Sequence, residues 1–210
     1  AAAVCNYAGN VMAMMPHPER TPNGDVIFKS MAEYIKEGPS DKIIPLDYEP
    51  QKLSIQQYSS EPDSIVCLVN MIIADNEAVS VQNALNHLDV PVTVQRMTHW
   101  EIASDNKTSA MHNQLIESGE LFNSNKEFIT ANKPKNNSAT FLVRQKEDML
   151  GRQKKQSLTN RFAIDGIREI RHGVLWNITV NSGNFDMVIH QVLDNHILYN
   201  PFSQNCYKYG

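Results

Sequence analysis

The sequence predicts an α+β fold built from two consecutive β-α-β-α-β units, preceded by a hairpin and a helix. Each unit would be a two-layer sandwich with helices on one face of a mostly antiparallel sheet. Three observations carry this reading. Over residues 64–210, apolar runs of strand length alternate with stretches of helical spacing, in the same order twice. Val174, Trp176, Ile178 and Val180 alternate cleanly, as in a strand that buries one face. With 210 residues, 41% apolar and 20% charged, the chain can bury a substantial core.

Residues 1–38 read as one unit. Val4–Tyr7 and Asn10–Met15 are short extended runs around Ala8-Gly9, the pattern of a hairpin. Asp25 follows Pro22-Asn23-Gly24 as a helix cap, and Ile27, Met31, Tyr34 and Ile35 then recur at helical spacing up to Gly38-Pro39. So short a segment cannot bury a core of its own. Residues 39–63, rich in Pro, Ser, Gln and acidic groups, read as a linker or strap.

The first repeat spans 64–137. Ser64–Ile73 and Val92–Ile102 are strands, with Ala78, Val81, Leu85 and Leu88 giving a helix between them. A helix around Thr108–Glu117 and a short strand at Glu127–Thr130 follow. The second repeat, 138–210, runs in the same order. Ala139–Gln145 is a strand, Lys154–Phe162 a helix, and Ile167–Val180 a long strand or two. A helix carrying Ile189, Leu193 and Ile197 and a last strand reaching Tyr209 complete it. Val94–His99 matches Ile167–His172 at an offset of 73, and Leu121-Phe122-Asn123 matches Leu198-Tyr199-Asn200 at 77, which predicts an internal duplication. Its two sheets should pack together as a pseudo-dimer, with a homodimer of the whole chain a further expectation.

Net charge is −4, divided as −4 over 1–63, −3 over 64–140 and +3 over 141–210. An asymmetry this mild excludes a dedicated nucleic-acid binder, and no apolar run is long enough to span a membrane. The chain starts without Met and without a basic, apolar leader, so it is expected to begin inside a longer, cytoplasmic polypeptide. Cys5, Cys67 and Cys206 are odd in number and far apart, and form no zinc spacing; reduced thiols are expected. The Asn136 and Asn177 triplets fit the glycosylation pattern, which carries no meaning in a reducing compartment. No Gly-rich phosphate loop or carboxylate cluster is present, so no metal or cofactor is expected in this chain. Trp100 and Trp176 read as core residues, and His99 and His172 as matched strand positions rather than ligands.

The most specific string is Met14-Met15-Pro16-His17-Pro18-Glu19-Arg20. The two prolines hold the backbone extended, which turns His17 and Glu19 the same way. A carboxylate beside an imidazole fixes its tautomer and supports the charge it gains as a general base. That is the base and orienter of a nucleophilic triad.

Met14–Arg20, with Val4-Cys5-Asn6 and Gly9-Asn10-Val11 before it and Asp25-Val26-Ile27-Phe28 after it, resembles the C-terminal end of a class I glutaminase. The resemblance is to the glutaminase component of phosphoribosylformylglycinamidine (FGAM) synthase. It implies that His17 is the base and Glu19 its orienter, with a cysteine nucleophile far upstream in a Gly-x-Cys-x-Gly elbow that this chain lacks. Cys5, flanked by Ala3 and Tyr7, does not fit that elbow.

Leu142–Lys146, Leu150, Gln153, Lys155, Ile170-Arg171-His172-Gly173, Leu198–Pro201 and Tyr207 resemble the small (PurS) subunit of the same synthase, collinearly over 138–210. Residues 64–137 look like a divergent copy. Two departures stand out: Gly151–Lys154 where that family has Asp-Pro-x-Gly, and Val174 in place of a lysine. The resemblance implies a glutaminase tail (1–38), a linker (39–63) and a tandem PurS-like module. It implies a non-catalytic adaptor in purine biosynthesis, between glutaminase and an ATP-dependent synthetase that supplies ATP and Mg. Partners would be the large synthetase subunit and the remainder of the glutaminase. A docking face for an acidic partner is expected at Arg144, Lys146, Arg152, Lys154, Lys155, Arg168 and Arg171. The second reading is a tandem α/β regulatory module that binds a small effector.

Overall fold

The computed structural model describes residues 3–6, 11–37, 55–105, 108–131 and 136–210. They divide into two units, residues 1–52 and 53–210, each taken by itself.

In the first unit β1 (Ala3–Cys5) pairs antiparallel with β2 (Met12–Met14). Asn6 closes the hairpin, donating its backbone N–H to the Val11 carbonyl and accepting the Val11 N–H on its side chain. The Ala8-Gly9 turn lies outside the described residues. A short 3-10 turn covers Pro18–Arg20, and α1 spans Asp25–Glu37. Asp25 is the first helical residue rather than the cap, where its charge still favours the positive end of the helix. Gly24 is demanded by close approach: a Cβ there would lie 1.7 Å from the Pro18 carbonyl oxygen. No residue of α1 is buried.

The second unit is α+β. Its strands are β3 (Gln56–Gln57), β4 (Ser64–Met71), β5 (Val92–Ser104), β6 (Glu127–Thr130), β7 (Ser138–Gln145), β8 (Ile167–Val180) and β9 (Gln204–Lys208). They form one sheet in the order β3-β9-β7-β8-β5-β4-β6, antiparallel throughout except for β3 against β9. The helices are α2 (Asn76–His87), α3 (Ser109–Glu117), α4 (Met149–Phe162) and α5 (Phe185–Asp194). Residues 39–54 of the expected linker lie outside the described residues. Residues 55–63 contribute β3 and then a strap whose Tyr58 lies over the sheet.

Two boundaries differ from the periodicity. α4 begins at Met149 rather than Lys154, because Asp148 caps it and accepts the Gly151 N–H at 2.7 Å. Polar, basic residues in its first turns hide that start from any apolar count. α5 ends at Asp194, so Ile197 follows the helix, although it still packs on the core.

Both halves of this unit run β-α-β-α-β, and their registers superimpose. Leu68 stands between Thr130 and His99, as Leu142 stands between Tyr207 and Leu175. Asp75 caps α2 as Asp148 caps α4, and Thr108 caps α3 as Asn184 caps α5. The Asn123 N–H donates to Glu127 at 2.6 Å, and the Asn200 N–H to Gln204 at 2.7 Å. This alignment keeps the Leu121–Asn123 match and overturns the match of Val94–His99 with Ile167–His172. Trp100 falls on Trp176, and His99 on Leu175. The rejected match shifts the strand by an odd number of residues, which would turn every side chain to the other face.

The halves meet edge to edge through a long β5–β8 ladder, in which Thr98 opposite Val174 marks a pseudo-twofold axis. Under the sheet the cores are shared. Leu85 of α2 packs with Phe141, Trp176, Val192 and other residues of the second half. Leu158 of α4 packs with Cys67, Trp100 and Leu115 of the first. Trp100 and Trp176 are 4% and 5% exposed. Glu120, just after α3, accepts from Lys154 and Ser157 of α4 at 2.9 and 3.0 Å. Neither half encloses a core alone, so residues 55–137 or 138–210 expressed singly are expected to give no cooperative melting transition, whereas mixing them restores one. A sharp melt from either half alone would sink this.

Candidate functional site

His17 follows β2 and sits just before the Pro18–Arg20 turn. Pro18 opens the turn, consistent with its fixed φ and missing N–H. His17 Nδ1 lies 2.8 Å from Glu19 Oε1, so the pair forms, but through a tight turn and not through the extended backbone expected for it. With Nδ1–H held by the carboxylate, Nε2 carries the free lone pair of a base. Both side chains are more than half exposed, at 62% and 53%. Cys5 is an exposed free thiol in β1.

The first unit also presents apolar surface. Met12, Val26, Ile27, Met31, Tyr34 and Ile35 line a hollow of about 640 Å³, and Val26 and Ile35 are 69% and 74% exposed. Helix and hairpin together cover no core.

In the second unit the seven basic residues expected to form a docking face do not share one surface. Lys154 is drawn to Glu120, which the Lys154 ammonium, against the opposing effect of burial, holds below the usual carboxylate range. The other six line a pocket of about 490 Å³ with Asp148, His172, Asn205 and Tyr207. Lys146 Nζ donates to the carbonyls of Pro201 and Phe202 at 2.9 and 3.0 Å. Lys155 donates to the Arg168 carbonyl. Arg171 pairs with Glu169 at 2.6 Å and Glu61 at 2.7 Å, and Arg168 lies 3.6 Å from Glu61 and Asp105. Among the described residues Arg152 makes no ion pair. Burial lowers the His172 pKa, which keeps its ring neutral near pH 7.

The acidic residues that organise these cations come from elsewhere in the chain. Under the strap, Glu101, 2% exposed, accepts from the Glu61 N–H at 2.8 Å, the Tyr58 hydroxyl at 3.1 Å and Arg144 Nη2 at 2.6 Å. Burial pushes this carboxyl up, but those donors outweigh it and hold the pKa below the ordinary value. His99 is 0% exposed, edge-on to the Tyr58 and Tyr209 rings, with Arg144 Nη2 at 3.5 Å from Nδ1 and no partner at Nε2. Burial, then the Arg144 charge, lower its pKa to about 3. Glu61, Glu101 and Glu120 had no local signature in the sequence.

Cys67 and Cys206 are buried free thiols, and burial pushes Cys206 up to about 12, which leaves it inert. Among the described residues no group of His, Cys, Asp and Glu is arranged to hold a metal ion, and no helix is long and apolar enough to cross a membrane. No protein-family model matches the chain, and no curated protein matches it significantly.

Proposed function

We propose that this chain is an adaptor component of a glutamine-dependent FGAM synthase. That cytoplasmic enzyme of purine biosynthesis converts formylglycinamide ribonucleotide, glutamine and ATP to FGAM. The observation that carries the reading is the His17–Glu19 pair, Nδ1 to Oε1 at 2.8 Å, in a proline-framed turn of a unit whose helix also carries an exposed apolar face. A triad base and orienter are in contact. The surface around them is what a glutaminase body would cover.

In this proposal His17 takes the proton of an incoming cysteine thiol on Nε2, Glu19 holds the opposite nitrogen, and the remainder of the glutaminase supplies the nucleophile. The second unit is a tandem PurS-like module that links glutaminase to synthetase and helps to keep ammonia out of water. Its support includes Asp148 and Gly151, a helix cap and a glycine whose Cβ would meet the Ile170 carbonyl oxygen at 2.2 Å. Together they reproduce the Asp-x-x-Gly spacing of the resembled family, a few residues earlier than Gly151–Lys154. ATP and Mg chemistry belongs to the large synthetase subunit.

The test is glutaminase complementation. The chain alone is expected to release no ammonia from glutamine, since base and orienter without a nucleophile form no thioester. Added to a glutaminase body lacking its last strand and helix, it should restore hydrolysis. His17→Ala should abolish that activity, and Glu19→Gln should lower it by about 10²–10⁴-fold. Ammonia release by the chain alone, lost in His17→Ala, would refute the adaptor reading. The second reading, a tandem α/β regulatory module that binds a small effector, is favoured by the concave basic pocket. Co-elution with the large synthetase subunit separates the two.

A further inference from the structure

The pocket between β7, β8 and the start of α4 has an internal control. The same backbone is built twice in this chain, and the two copies can be compared position by position. The Arg152 N–H donates to the cap residue Asp148, as the Val79 N–H does to Asp75. Lys155 reaches the Arg168 carbonyl, as Gln82 reaches the Val92 carbonyl at 2.9 Å. The Lys146 N–H donates to Ser203, as the Ile72 N–H donates to Lys126. By strand register Arg144 falls on Asn70, and Arg171 on Gln95.

Each of the six cations lining the pocket therefore has an uncharged counterpart at the equivalent place. The repeated backbone forms without these charges, although Arg144 also holds the buried Glu101, and Arg168 and Arg171 the strap's Glu61. By contrast Asp148, which caps a helix, has its counterpart in Asp75. Residues required by the scaffold appear in both copies, and the cations in one only.

We infer that this pocket binds a small molecule through a phosphate or diphosphate group. Six cations face two carboxylates, Asp148 and Glu169, across its walls. Glu101 neutralises Arg144 from behind, Glu61 reaches Arg168 and Arg171 from the strap and Asp105 lies 3.6 Å from Arg168, which still leaves the pocket positive by about one charge, the sign that a phosphoryl group needs. A second phosphoryl group would compete with Glu61 for the two arginines. Guanidinium forks on Arg152, Arg168 and Arg171 suit bidentate contact with phosphoryl oxygens. At about 490 Å³ the hollow is the size of small-ligand sites, not of a flat protein contact. This inference rests on the pocket alone and holds whether or not the synthase assignment does.

The test is calorimetric titration of the full chain with inorganic pyrophosphate and with inorganic phosphate, at low ionic strength and without added metal. Pyrophosphate is expected to bind more tightly than phosphate. The double variant Arg152→Val/Lys155→Gln copies Val79 and Gln82, residues that the same backbone already carries. It should weaken pyrophosphate by at least about tenfold. Lys29→Gln/Lys36→Gln, an equal charge change on α1, should leave binding unaltered. Glu61→Gln removes a competing carboxylate while keeping its backbone contacts, and should tighten pyrophosphate about two- to fivefold. Absence of binding at millimolar pyrophosphate, or equal loss in both double variants, overturns the inference. So does binding of a polyglutamate peptide that saturating pyrophosphate does not displace, because the cations would then serve a protein surface.

Discussion

Glu101→Gln is expected to destabilise the second unit by about 3–5 kcal/mol, a fall in Tm of roughly 10 °C. Glu101, itself 2% exposed, receives three donors, and the substitution leaves the Arg144 guanidinium, 12% exposed, without its counter-charge. The cost arises from the orphaned cation more than from the lost attraction, since desolvation offsets most of what a buried pair gains. Arg144→Met in the Glu101→Gln background should therefore recover part of the loss. Chemical denaturation of the four chains closes the cycle. A single-variant loss below about 1 kcal/mol, or a double variant worse than the sum of its parts, would show that Glu101 does not pin the strap.

Acid should weaken the fold well above the range in which carboxylates titrate. Folded His99, with a pKa of about 3, resists the proton that the unfolded chain accepts near its ordinary 6.5. The unfolded state thus binds more protons as pH falls from about 6.5 towards 3, and stability drops across that window by several kcal/mol. The groups that face His99 are Arg144 on β7, Glu101 on its own strand, His172 on β8, and the Tyr58 and Tyr209 rings. His172 adds a slope of the same sign, because burial also lowers its pKa. Glu101 acts lower down: its folded pKa is depressed, so its contribution is present above the unfolded value near 4.5 and is lost as pH falls through the folded value. His99→Leu, which copies Leu175 at the equivalent position, should flatten the curve between pH 6.5 and 5 and match or exceed the unmodified chain at pH 5. An unchanged slope in His99→Leu would exclude this histidine as the source.

What the sequence disclosed, and what it hid, follows the range of the interactions. Strands such as Glu127–Thr130 and Ile167–Val180 were legible because alternation and strand length are local properties. His17 and Glu19 were legible as a pair because two residues separate them, although the backbone that joins them is a turn and not an extended run. The start of α4 was hidden because a single side chain, Asp148, sets it, and nothing in the basic stretch that follows has helical apolar spacing. The cations of 144–171 read as one face because their long-range partners could not be seen. Glu61, Glu101 and Glu120 sort them into a strap latch, a buried pair and a helix clamp, and what remains is concave. The repeated order of elements was visible in outline, but its register had to come from strand pairing. Trp100 and Trp176 mark that register better than the string match around His99.

The shared cores also set a timetable. When Ser104 has been made, β5 has its β4 neighbour but its other edge awaits β8, and Leu85 awaits Phe141, Trp176 and Val192. At ordinary rates of synthesis the ribosome needs about 4–15 s more to reach Val180. Through that interval an open strand edge and an uncovered helix face coexist on a nascent chain, a combination that invites wrong pairing. Folding thus waits on the last third of the chain, and early release or a pause between 104 and 180 should raise the demand for chaperones far more than one placed after Val180.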